Sequence, residues 1–121
     1  MAYPSNRPLN VIRVFSYNGD MSTAGSSFAV FPIRGKVVKV GVVAHAAVTS
    51  APNVLTAKIA GTAITIPTWT VTHSGAAAGD IVEVVPTAAN VGAQNVNIEF
   101  ITDGAGSGTV PCMFYADIVP A

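Results

Sequence analysis

The sequence predicts an all-β fold: an antiparallel β-sandwich, jelly-roll-like, with about eight strands and no substantial helix. Short runs rich in Val, Ile and Thr are separated by turn residues, a pattern typical of sandwiches and barrels. Pro or Gly interrupts most windows before three helical turns could accumulate. Several runs alternate apolar and polar residues, which is the period of a strand with one buried face. An immunoglobulin-like sandwich is the alternative, although the chain lacks the paired cysteines of that fold.

The chain has 121 residues, the length of one domain. Residues 1–9 are predicted to form an extended N-terminal arm, because Pro4 and Pro8 disfavour helix. Residues 10–121 then form the single sandwich domain. Its predicted strands span 10–17, 27–33, 36–48, 54–60, 63–66, 69–72, 80–85, 95–102 and 109–119. The stretch 86–94 is predicted to be a loop, and the Gly-rich stretch 103–108 a hairpin connection.

Alternation within the strands predicts which side chains face the core. In the long third strand we expect the core face to carry Val38, Val40, Val42, Ala44, Ala46 and Val48. That choice places Val37 and Val43 on the outer face. The fourth strand is expected to bury Leu55, Ala57 and Ile59. The last strand is expected to bury Val110, Cys112, Phe114, Ala116 and Ile118. Trp69 stands between two threonines, so either the core or a subunit contact suits it.

Charge is scarce and balanced, with six Lys or Arg residues against six Asp or Glu residues. The balance argues against nucleic-acid binding, which needs a basic surface. The charged fraction of 10% is far below the roughly 25% of ordinary soluble domains. Such a surface favours burial against other subunits, although Thr, Ser, Asn and Gly could cover it instead. No run is long enough to span a bilayer, and the first residues lack the apolar core of a signal peptide.

The sequence contains no residue pattern that predicts a catalytic, cofactor or metal site. His45, His73 and Cys112 are not spaced as metal ligands, and no calcium-binding acidic loop is present. No Gly-x-Ser-x-Gly elbow occurs, and Glu83 and Glu99 are expected to be solvent-facing strand residues. The glycine-rich stretch lacks the Lys-Ser/Thr ending of a phosphate-binding loop. We therefore expect a protein that is not an enzyme and has no cofactor.

The order of several segments resembles small proteins encoded among the head genes of tailed bacteriophages. These segments are 35–43 (GKVVKVGVV), 44–49, 53–64 (NVLTAKIAGTAI), 78–80, 86–90 and 98–108 (IEFITDGAGSG). The similarity covers roughly residues 11–119 and consists of similar local residue patterns in a similar order along the chain. The resemblance implies a decoration (cement) protein, made in the bacterial host cytoplasm and placed on the outer capsid surface of the virion. It implies the major capsid protein and further copies of the same chain, as a dimer or trimer, as partners. From the charge balance and the lack of a membrane-spanning run, we expect neither a nucleic acid nor a membrane as a partner.

The candidate capsid or subunit contacts are Tyr3, Pro4, Arg7, Pro8, Val37, Val43 and Trp69. The first four lie in the arm, which could extend roughly 25–30 Å and lie along the capsid or a sister subunit. The loop at 86–94 is an alternative contact. Two other functions fit an all-β chain: a tail-fibre or receptor-binding module, and another virion part such as a tail-tube, spike or capsid protein.

Overall fold

The computed structural model describes residues 11–75 and 77–121, which form ten β-strands and no helix. The strands are Ile12–Asn18 (β1), Gly25–Val30 (β2), Gly35–Ala44 (β3), Asn53–Ile59 (β4), Thr62–Ala63 (β5), Trp69–Val71 (β6), Ile81–Val84 (β7), Val91–Gly92 (β8), Asn97–Thr102 (β9) and Cys112–Pro120 (β10). The predicted all-β class is confirmed. Of the ten strands, β8 falls within the stretch predicted to be a loop.

The strands form two antiparallel sheets. Sheet A has the order β1-β10-β3-β7, and β8 also pairs with β3. Sheet B has the order β2-β9-β4-β5, and β6 also pairs with β4. The chain changes sheet at each step from β1 to β4, as in a jelly roll. An immunoglobulin domain instead keeps its first two strands in one sheet, so that alternative is wrong.

The core lies between the sheets and is centred on three aromatic rings. Phe114 of sheet A stacks on Phe100 of sheet B, with ring centroids 5.2 Å apart. The ring of Trp69 lies edge-on to the ring of Phe114, with ring centroids 5.8 Å apart. The predicted inward faces of β4 and β10 are confirmed, since all of their predicted core residues are buried: Leu55, Ala57, Ile59, Val110, Cys112, Phe114, Ala116 and Ile118.

A β-bulge changes the predicted faces of β3. Lys39 lies opposite Asp117 and Val37 lies opposite Ile118, so Val38 is an extra residue on this strand. The extra residue turns Val37 into the core, where it is fully buried, and leaves Val38 half-buried. The predicted outer position of Val37 is therefore wrong. The strand also ends at Ala44 rather than at Val48.

The glycine-rich connection 103–111 crosses between the sheets, because β9 belongs to sheet B and β10 to sheet A. The predicted hairpin is therefore wrong. Fully buried Asn53 holds this connection: its Oδ1 accepts a hydrogen bond from the Gly106 amide at 2.7 Å. Its Nδ2 donates to Ser22 Oγ at 3.1 Å, so one side chain ties the β1–β2 loop to the β9–β10 loop.

Replacing Asn53 with alanine is expected to lower the free energy of unfolding by about 1–2 kcal/mol, because a buried amide N–H would lose its acceptor. Urea unfolding of the variant and the wild type measures the difference. Thr56→Ala on the exposed face of β4 is the control and should change stability little. Equal stability of all three proteins would show that this amide does not hold the connection.

Asp20 closes the β1–β2 loop with its carboxylate. It accepts hydrogen bonds from the Val110 amide at 3.0 Å, the Ser22 amide at 2.9 Å and Thr23 Oγ1 at 2.8 Å. The bond from Val110 is the main reason why the pKa of Asp20 lies below its usual value. A lowered pKa stabilises the fold above the usual carboxyl pKa, and this stabilisation is lost as the pH falls through the folded-state pKa.

We expect Asp20→Asn to be less stable than the wild type at pH 7, with a stability difference that shrinks as the pH falls below about 4. Thermal unfolding of both proteins between pH 7 and pH 2.5 measures the difference. A gap that stays constant over this range would contradict the role given to the charged carboxylate.

Candidate interaction surface

The outer face of sheet A carries an apolar row that crosses four strands. Strand pairing places Tyr17 beside Met113, Met113 beside Val43 and Val43 beside Ile81. Tyr17 and Ile81, at the two ends of the row, are exposed by 59% and 60%. The two central residues are half-buried. This row could contact an apolar surface of another molecule without rearrangement of the sheet.

Two ion pairs lie on the same face, and Lys36 is exposed there without an ion-pair partner among the described residues. Arg13 Nε lies 2.6 Å from Asp117 Oδ1, and its Nη2 donates to Oδ2 at 2.9 Å. That bond raises the pKa of Arg13 above its usual value. Lys39 Nζ lies 3.6 Å from Glu83 Oε1. The opposite charges cancel within each pair, which lowers the cost of covering this part of the face.

Tyr115 lies flat on the outer face above Gly41, its neighbour on β3. Its hydroxyl donates to the Glu83 carboxylate, and the Arg13 guanidinium lies 4.2 Å from its ring centre. Burial, and then the nearby carboxylate, raise the pKa of Tyr115 above its usual value. Tyr115 is only 3% exposed, so its ring supports the outer face of sheet A and offers a partner little surface of its own.

Strands β1 and β2 carry the exposed aromatic side chains of the described residues. Both are edge strands on the same side of the sandwich, one in each sheet. Phe15 and Tyr17 project from β1, and Phe28 and Val30 from β2, each with more than half of its surface exposed. We call these two strands the aromatic edge. Aromatic residues are enriched at the centres of protein–protein interfaces.

The opposite side of the sandwich is protected against strand pairing. There β6 and β7 are three and four residues long, Pro67 shortly precedes the first, and Pro86 shortly follows the second. Trp69 Nε1 donates to the Val82 carbonyl at 3.1 Å and joins the two edges. Short strands and prolines are devices that block edge-to-edge association. Strands β1 and β2 are longer, with seven and six residues, and neither contains a proline, although Pro32 follows β2 as closely as Pro86 follows β7.

The sequence-predicted contact residues occupy different places. Val43 lies on the outer face as predicted, whereas Val37 and Trp69 are buried in the core and present no surface to another molecule. Trp69 is buried because alternation in the short strand β6 points it at Phe114. Tyr3, Pro4, Arg7 and Pro8 lie outside the described residues.

Sequence reasoning missed Phe15, Tyr17 and Phe28 as surface candidates. For β1 the available signal was alternation, which puts both aromatic residues on the face opposite Ile12 and Val14. Both faces of that strand are apolar, so alternation alone could not decide which one is buried.

A groove and two strand glutamates are the features of the described residues that bear most directly on catalysis or metal binding. A groove of about 480 Å³ at one end of the sandwich is lined by Ile59, Ala60, Val91, Val96 and small neighbours, without an ionisable side chain. Glu83 and Glu99 belong to different sheets. Within 11–75 and 77–121, no three His, Cys, Asp or Glu side chains gather where they could hold a metal ion. The same residues contain no helix of the length and apolar character needed to cross a membrane.

Cys112 is buried in the core. Burial raises the pKa of its thiol to about 12, so the thiolate that reacts with oxidants and electrophiles is scarce near neutral pH.

Comparison with known proteins identifies a phage capsid structure with the same fold. A chain of the cyanophage Pam1 capsid asymmetric unit superposes with a TM-score of 0.59 at 12% sequence identity. The match covers 100% of this chain and 93% of that one, so the two chains are of similar length. No protein-family model matches the chain, and no curated protein matches its sequence. At this identity the likeness establishes a shared fold.

Proposed function

We propose that this protein is a structural component of a phage virion and acts as a decoration protein on the outside of the head. The observation that carries the proposal is the whole-length fold match to a chain of similar size in a phage capsid. A capsid neighbour favours a place on the head over a tail-tube or tail-fibre role. The scarcity of charge and the exposed aromatic edge also suit a protein that works by contact.

We place the capsid contact on the outer face of sheet A, because its apolar row includes Val43 and most of its charges are neutralised in pairs. A decoration protein bound across a capsomer seam adds contact area where the shell would otherwise separate under the pressure of packaged DNA. Many identical copies would act together, so each attachment could be modest. The partner in this arrangement is the major capsid protein.

Co-sedimentation with heads assembled without this protein tests the placement. We expect the purified protein to pellet with expanded heads, and Ile81→Glu, which charges the apolar row, to bind at least tenfold more weakly. Thr56→Glu is the matched control because this residue is exposed on the opposite face, in sheet B. A wild-type protein that stays in the supernatant would contradict the proposed function, and equal binding of both variants would contradict the placement.

The N-terminal arm is the second proposed contact with the capsid or a sister subunit, through Tyr3, Pro4, Arg7 and Pro8. Deleting residues 1–9 is expected to weaken head binding in the same assay while leaving the thermal unfolding of the sandwich unchanged. Unchanged head binding would remove the arm from the proposal.

A further inference from the structure

Strand β1 offers a long edge for pairing with another strand. β10 pairs with one side of β1, and no strand of the described residues pairs with the other. Its seven residues contain no proline and a single charge, on Arg13, which Asp117 neutralises. An edge of this kind exposes backbone N–H and C=O groups and invites another strand.

We propose that a second copy of this chain pairs with β1 in antiparallel fashion about a twofold axis, with Phe15 opposite Phe15 of the partner subunit. The axis runs perpendicular to sheet A, so the outer faces of the two copies form one continuous surface. A twofold contact of this kind uses the same patch on both copies and closes on itself.

The sequence of β1 selects this register. Residues on the same face must lie opposite each other, because a one-residue slip would set exposed side chains beside buried ones. Centring the pair on Phe15 aligns all seven residues of the strand and places Arg13 opposite Tyr17 of the partner subunit. An aromatic pair at the centre and a cation beside an aromatic ring on each side are favourable neighbours. Centring on Arg13 would instead oppose two positive charges.

The size of the outer face of sheet A favours attachment to the capsid by two joined copies over attachment by one. Four strands about 4.8 Å apart and about seven residues long give a flat face of roughly 440 Å². A specific interface needs about 800 Å² per partner. Two copies joined at β1 would present roughly twice the single face and reach that size. This role of the dimer rests on the proposed attachment to the capsid, whereas the pairing itself can be tested without a capsid.

Sedimentation equilibrium of the full chain tests the association. We expect a dimer for the wild type at micromolar concentration. Phe15→Lys would set two lysines opposite each other and remove the central aromatic pair, so its dissociation constant should rise about 30-fold or more. Phe28→Lys is the matched control, because Phe28 is equally exposed on the other edge strand. A monomeric wild type, or equal weakening by both variants, would overturn the proposal.

Cysteine cross-linking tests the register. Residues opposite each other in an antiparallel pair have Cα atoms about 4.5–5.5 Å apart, which a disulfide can span. Phe15→Cys should therefore form a covalent dimer on mild oxidation. Tyr17→Cys should not, since the two copies of that residue would lie roughly 14 Å apart. Phe28→Cys and the wild type, whose Cys112 is buried, are the further controls.

A trimer, a cross-link through Phe28→Cys, or a protein that neither dimerises nor cross-links through Phe15→Cys would overturn the pairing. The last outcome is expected if residues 1–10 of the same chain cover the edge. Dimerisation without head binding would refute the proposed function and leave the pairing intact. Head binding by a monomer would refute the pairing and leave the proposed function intact.

Discussion

Phe114→Ala is expected to lower the free energy of unfolding by about 3–5 kcal/mol, the usual range for removing a buried phenylalanine. The ring stacks on Phe100 and meets the edge of Trp69, so it contacts the opposite sheet in two directions. Its loss would leave a cavity between the two sheets that the rigid strands around it could fill only in part. A domain of this size has about 5–15 kcal/mol of stability in total, so the variant would be close to unfolding at 37 °C.

Urea unfolding followed by tryptophan fluorescence measures this loss, because the single Trp69 contacts the altered site. Phe114→Leu keeps most of the volume and should lose much less. Phe28→Ala makes the same chemical change at an exposed position and should cost little. A loss at Phe114 as small as the loss at Phe28 would contradict the central place of this ring in the core.

Gly41→Val is expected to lower stability by about 3 kcal/mol, at the upper end of the range for overpacking. A Cβ atom at this position would lie 2.3 Å from Tyr115 Cζ, so the ring must leave its place. The hydrogen bond from Tyr115 to Glu83 would then break. We also expect weaker head binding, because the displaced ring would stand out from the outer face of sheet A.

A double-mutant cycle separates the clash from other effects of valine on β3. Tyr115→Ala removes the ring, so the double variant Gly41→Val, Tyr115→Ala should be more stable than the sum of the single losses predicts. Thermal unfolding of the four proteins measures the coupling. Additive losses would show that the glycine is needed for a reason other than the approach of this ring.

Local patterns predicted the fold class and most of the buried faces. In β4 and β10 every second residue is apolar over most of the strand, and the structure buries the predicted side chains. The bulge at Val38 could not be predicted, because it depends on pairing with Asp117 and Ile118 about 80 residues away. The crossing at 103–111 was missed for a similar reason, since a Gly-rich connection fits both a hairpin and a passage between sheets.

The interaction surface was harder to predict than the core. Val43 was placed correctly because the charge on the neighbouring Lys39 marked the outer face of β3. Trp69 was ambiguous, because a tryptophan in a three-residue strand suits a core and an interface equally well. Strand order decided that β1 and β2 are edge strands on the same side of the sandwich, and one sequence does not contain that order.

The two sides of this sandwich differ in how readily another molecule could cover them. Its prolines and short strands protect one side, which limits uncontrolled sheet extension. The other side and the outer face of sheet A carry exposed apolar side chains, and most of the charges on that face are paired locally. Contacts with a shell or a sister copy would therefore cover mainly apolar surface, and Lys36 is the charge on that face without an ion pair among the described residues.

The number of copies of this protein in phage particles purified from cells that carry its gene tests the proposed function most directly. Quantitative mass spectrometry against the major capsid protein gives that number. Decoration of the head predicts hundreds of copies per particle. A handful of copies would contradict decoration and favour a fibre or spike, and complete absence would contradict every virion role.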